Sequence, residues 1–158
     1  MAITLLEECP EFRVGHVGSV YVTVWFSELT ERALDALSKH HHALVAKYGK
    51  ITLVSVVINA TKAPGPELRE RLRSQSVELA KDRRGNIIVV LARGMSAIIA
   101  RTFLAVLSLI STENMKVPNT LDAAADEVRK IVGQDAATVA NTGLADDLIA
   151  FANLPRPK

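Results

Sequence analysis

Cysteine is almost absent: Cys9 is the only one in 158 residues, so no intramolecular disulfide can form and no thiolate cluster can hold zinc. Its place beside Pro10, near a chain end expected to be flexible, makes it an inert residue rather than a nucleophile. A basic leader is missing too. The first eight residues carry Glu7 and Glu8 and no Lys or Arg, so no secretory signal is expected. The most apolar stretch, Met95 to Ser111, is about 17 residues long with Arg101 inside it, which is short for a membrane span and carries a costly charge. Neither charge sign dominates. Nineteen Lys and Arg against seventeen Asp and Glu leave a net charge of +2, so no global attraction to nucleic acid is expected. With no membrane insertion and no export, the expected location is the cytoplasm, where the Asn59-Ala60-Thr61 sequon is idle.

Catalytic signatures are equally scarce. There is no G-x-S-x-G elbow, no H-E-x-x-H, no Walker loop and no G-x-G-x-x-G. Asp146 and Asp147 are adjacent and diverge on a helix, and Glu7 and Glu8 fall in the expected N-terminal tail. His40-His41-His42 is the one eye-catching cluster. Ligands on one helix need i,i+3 or i,i+4 spacing, whereas three consecutive residues fan out by about 100° each. His41 falls on the stripe of Leu34, Leu37, Leu44 and Tyr48 and is expected at the rim of the core, with His40 and His42 toward solvent. No catalytic residue, metal or cofactor is therefore expected, and the chain is read as non-enzymatic.

What is present is a well-patterned globular domain. The apolar fraction is 49%, the charged fraction 23% and the mean hydropathy +0.19, which exclude disorder and collagen-like repeats. Phe12 to Phe26 alternates as a β-hairpin, with Gly15 and Gly18 at turn or bulge positions. Thr30 caps a helix that ends at Gly49. Ile51 to Ile58 is a continuous β-branched run, the mark of a strand covered on both faces. After the loop Asn59–Pro66 comes a second helix, expected to reach about Arg84, then a second buried strand, Ile87 to Leu91. A third helix runs from Met95 to about Ser111, Lys116 to Pro118 suits a short edge strand, and Thr120 caps a fourth helix ending near Val132. Strands alternating with helices call for an α/β fold, a small and mostly parallel sheet with an N-terminal hairpin and four flanking helices. Residues 1–133 make up that domain, and residues 134–158 a C-terminal helical extension, packed on it or mobile.

Three surfaces stand out. In an open parallel sheet ligands gather at the carboxyl ends of strands, here the Asn59–Gly65 loop with Asn59, Thr61 and Lys62, and the turn at Arg93 and Gly94. The latter precedes a helix N-terminus and so is a candidate anion site. On the second helix, turning Leu68, Leu72 and Leu79 inward leaves Arg69, Arg73, Val77 and Arg84 as a stripe facing a partner. The third helix is apolar nearly all round: Ile99, Phe103, Val106 and Ile110 on one side, Ile98 and Leu109 on another, Leu104 and Leu107 on a further one. A helix covering one face of a sheet needs about half that width. Its cover is the C-terminal helix (Leu144, Leu148, Phe151), a second copy of the chain, a partner, or a small apolar ligand held against the sheet.

The order of elements resembles the STAS domain of sulphate transporters and anti-sigma-factor antagonists, in its divergent bacterial single-domain form. The likeness spans about Phe12 to Val132, through GSVYVTVWF leading into TERALDALSKHHHAL, ITLVSVVIN before the loop, and GNIIVVLARGMSAIIARTFLAVL before KVPNTLDAAADEV. It implies a non-enzymatic signalling module that docks on a protein partner and is switched by phosphorylation of a Ser at the start of the second helix. This chain departs there. Asn59 stands where the family has an acidic residue, Ala60-Thr61-Lys62-Ala63-Pro64-Gly65 replaces Asp-Ser-Ser-Gly, and Thr61 is the loop's only hydroxyl. The resemblance thus implies partner binding through Asn59, Thr61, Lys62 and the second helix, without the usual switch. Self-association or apolar-ligand binding falls to Ile99, Phe103, Val106, Leu107 and Ile110.

Overall fold

Six strands line up in the order in which the chain makes them: β1 (Thr4–Glu8), β2 (Phe12–Val17), β3 (Val20–Trp25), β4 (Ile51–Val57), β5 (Arg83–Val90) and β6 (Met115–Lys116). A computed structural model describes residues 2–110, 115–133 and 143–158, with side chains throughout except at residues 106–110. The first three strands pair antiparallel, and β3 through β6 pair parallel. The sheet is therefore mixed, and the fold is α/β.

Three crossover helices, α1 (Glu31–Tyr48), α2 (Pro66–Ala80) and α3 (Met95–Ile110), link the parallel strands. Successive crossovers that advance in one direction with one hand fall on the same side of the sheet. The buried residues follow suit. Phe12, Val14, Tyr21, Ile51 and Leu53 pack with Leu34, Leu37 and Leu44 of α1, and Val90 packs with Ala97 and Ala100 of α3. The opposite pleat, with Val20, Val22, Val24, Val54, Val56, Ile87 and Val89, receives α4 (Leu121–Val132) and α5 (Leu144–Asn153). Thr30 and Thr120 accept from the N–H of Ala33 and Ala123, capping α1 and α4.

Four expectations need correction. The N-terminus is no tail, because Thr4–Glu8 forms edge strand β1 on β2. Cys9 is accordingly buried in the turn between them, its N–H donating to the Phe12 carbonyl at 2.9 Å, and desolvation raises its thiol pKa. The second helix stops at Ala80, and Arg83 and Arg84 already belong to β5. Gly15 lies in mid-strand opposite Val22, not in a turn, although β1 shifts register against it between Leu5 and Glu7. A Cβ there would stand 2.6 Å from the Thr4 carbonyl and 2.7 Å from the Phe151 ring, so glycine is what lets β1 and α5 close over β2.

Helix α5 does not cover α3. It lies across the sheet from it, burying Leu144, Leu148 and Phe151 beside α4, at roughly 2 kcal/mol for each large side chain. Arg13 of β2, wholly buried, fixes it there. Its guanidinium donates to the carbonyls of Phe151 (2.9 Å), Leu154 (3.2 Å) and Pro155 (2.7 Å), and its Nε to Glu8 (3.0 Å). It thereby closes the carbonyl end of α5. Residues 134–142 of the expected extension lie outside the described residues.

Candidate functional site

With α5 on the far face, α3 rests on the sheet only in part, through Ala97 and Ala100, and a partly open cavity of ≈160 Å³ lies between the rest of its inner side and the strands. Its floor is the outward pleat of three parallel strands: Trp25 on β3, Leu53, Ser55 and Val57 on β4, and Asn86 and Ile88 on β5. Leu72 and Leu79 of α2 form one wall, and Ile99, Phe103 and Leu104 of α3 the other. The Asn59–Pro64 loop, Ser27 and Glu28 form the rim at the carboxyl ends of β3 and β4, where open α/β sheets hold their ligands. The pattern of the sequence accounts for this. Ala97 and Ala100 let the start of α3 press onto Val90 and Ala92, while the larger Ile99 and Phe103 hold the rest of that face away from Ser55 and Ile88.

Side-chain bonds fix the frame. Ser96 Oγ accepts from the Ala60 N–H at 2.6 Å and donates to Asn59 Oδ1 at 2.7 Å, tying the start of α3 to the loop after β4. Gln75 donates to the Leu34 carbonyl at 3.0 Å, and Arg71 bonds Asp35, so α2 is held to α1. At the rim Lys62 pairs with Glu28 at 3.0 Å, and the two charges offset one another. On the floor, Trp25 Nε1 donates to Thr23 Oγ1 at 3.1 Å, and Thr23 lies 2.9 Å from Ser55 Oγ.

The residues singled out from the sequence fall into three groups. Asn59, Lys62, Ile99 and Phe103 come together around the cavity, with Asn59 engaged by Ser96 rather than held out to a partner. Thr61, Arg69, Arg73 and Val77 are exposed, and Arg73 bonds Glu70 one turn earlier at 3.3 Å. Arg84 is exposed on β5, off the helix that was to carry it. Arg93 and Gly94 are exposed at the start of α3, Gly94 with φ +63°. The side chains of Val106, Leu107 and Ile110 lie outside the described residues. Sequence reasoning missed Trp25, Ser55 and Leu72 as cavity residues. A Ser in the β-branched run of β4 and a Thr beside the only Trp were the available signals.

Among the described residues no group of three His, Cys, Asp or Glu could hold a metal, and no helix is long and apolar enough to cross a membrane. His41 is wholly buried and His40 is bonded to Glu7 at 2.9 Å. No protein-family model, no curated protein and no solved structure matches the chain.

Proposed function

We propose that this domain binds a small apolar molecule between its sheet and α3, as a carrier or sensor. The cavity carries this reading. At ≈160 Å³ it is about the size of the roughly 150 Å³ apolar hole that suffices for benzene in an engineered protein core. Its lining is mostly aliphatic and aromatic, with a few polar side chains, as small-molecule sites are. The test uses α-methylstyrene as a one-ring hydrocarbon probe. The chain has one tryptophan, and it lines the cavity, so the single indole N–H resonance reports occupancy. A saturable shift of that resonance is expected, and Phe103→Ala weakens binding about tenfold by removing a wall. No shift up to the solubility limits of this probe and of its carbonyl analogue, acetophenone, overturns the reading.

A second reading, a protein-docking module of the STAS type, is supported by the sequence of hairpin, helices and parallel strands and by the exposed outer face of α2. Val77 is 48% exposed there, between Arg73 and the end of the helix. Met95 and Ile98, at 71% and 59% exposed, offer a further apolar face at the start of α3 for a second copy or a partner.

A further inference from the structure

Ser55 and Asn86 are the polar side chains that β4 and β5 place on the cavity floor, and Ser55 ends a run of bonded side chains, Trp25 to Thr23 to Ser55, whose bonds run in one direction. An indole N–H only donates, and that of Trp25 goes to Thr23 Oγ1 at 3.1 Å. Thr23 is wholly buried. Having accepted from the indole, its own proton goes to Ser55 Oγ, 2.9 Å away. Ser55 is therefore an acceptor in this chain, and its remaining proton has no acceptor among the described residues. Of Thr23 and Ser55, only Ser55 lines the cavity, in register with Thr23 on β3 and Ile88 on β5. A hydroxyl donor is thus presented in the middle of an apolar floor, between Leu53 and Val57 of its own strand.

Resting on the cavity reading above, we infer that the occupant is a one-ring-sized neutral molecule with a carbonyl-type acceptor, received by the Ser55 hydroxyl. A hydrocarbon leaves that donor unmet. A carboxylate seated there would give up its hydration beside Leu53, Val57 and Ile88 for one neutral donor, which is a poor exchange. The rim cation Lys62 is already paired with Glu28, and Arg83, at the far end, has an engagement of its own. One donor for one carbonyl is the match that meets the Ser55 proton without seating a charge on the apolar floor.

The experiment compares acetophenone with α-methylstyrene, which differ by C=O in place of C=CH2. Both are titrated against the Trp25 indole resonance in the wild type, Ser55→Ala and Ser55→Cys. The informative quantity is the ratio of the two dissociation constants, which cancels the general effect of a variant on the cavity. Ser55→Ala is expected to shift that ratio about fivefold or more toward the hydrocarbon. Ser55→Cys, whose thiol is a weak donor of similar shape, shifts it in the same direction by less and serves if the alanine variant does not fold. Thr23→Val leaves Ser55 its proton and is expected to keep the ketone preference. If both probes bind and the ratio is the same in wild type and Ser55 variants, this inference is overturned and the cavity reading stands. If neither probe binds the wild type, both fall.

Discussion

His41 gives the sharpest test of how the core is built. It lies on the inner face of α1 with no exposed surface and with neither ring nitrogen hydrogen-bonded among the described residues. Burial penalises the imidazolium, and the nearby Arg83 and His42 push the same way against a weaker pull from Asp82, so its pKa falls from 6.5 to about 4. The unfolded ring takes up a proton below its ordinary value, while the folded ring refuses one until about 4. The unfolded state therefore binds more protons in that window, and stability drops as pH falls through it, levelling off below. Integrated over the window, the loss is about 2 kcal/mol by about pH 5 and about 3 kcal/mol at most. Urea unfolding followed by Trp25 fluorescence measures it, with His41→Leu as the reference that subtracts every carboxylate. Above pH 7 the leucine variant is expected to match or exceed the wild type, since it removes an unmet polar ring from the core. Toward pH 5 the gap widens in its favour by about 2 kcal/mol. Parallel pH profiles for the two proteins refute the reasoning.

Two further outcomes follow from other residues. Arg13→Met strips the carbonyl end of α5 of its donors and leaves Glu8 without its cation, so a loss of about 3–5 kcal/mol is expected; hydrogen exchange should show α5 amides opening first, and an unchanged urea midpoint counts against the clamp. On the docking reading, native mass spectrometry shows a dimer or a stoichiometric protein companion that Arg73→Glu releases, with stability changed by less than about 0.5 kcal/mol; capture that survives the substitution removes α2 from the interface.

The parts of this fold legible in the sequence were those where local chemistry and burial agree. The β-branched runs of β4 and β5 declare strands buried on both faces, and Thr30, Gly49 and Thr120 mark helix ends by caps that the structure contains. Edge strand β1 escaped because its charges looked like a tail. In the structure Glu7 and Glu8 are partners of His40 and Arg13. The end of α2 was set too late because Lys81-Asp82-Arg83-Arg84 suits a helix locally, whereas pairing of Arg83 with Ile51 starts a strand. Arg13 drew no reading from the sequence, because its burial depends on the distant arrival of α5. The cavity was half legible: the excess apolar width of α3 announced a missing cover. Periodicity does not say which residues stand off from the sheet, so Ile99 and Phe103 were named without Trp25 and Ser55 opposite them.

Arg13 also sets an order of events. Its carbonyl partners begin at Phe151, 138 residues further along the chain, and synthesis proceeds at roughly 5–20 residues per second. For on the order of ten seconds after β2 is made, a guanidinium and the pleat bearing Gly15 and Val17 await the helix that covers them. The parallel strands and their crossovers are complete before then. Closing that second face, by α4 and then α5, thus comes after the parallel strands and their crossovers in vectorial folding, and until then one side of the sheet stands bare.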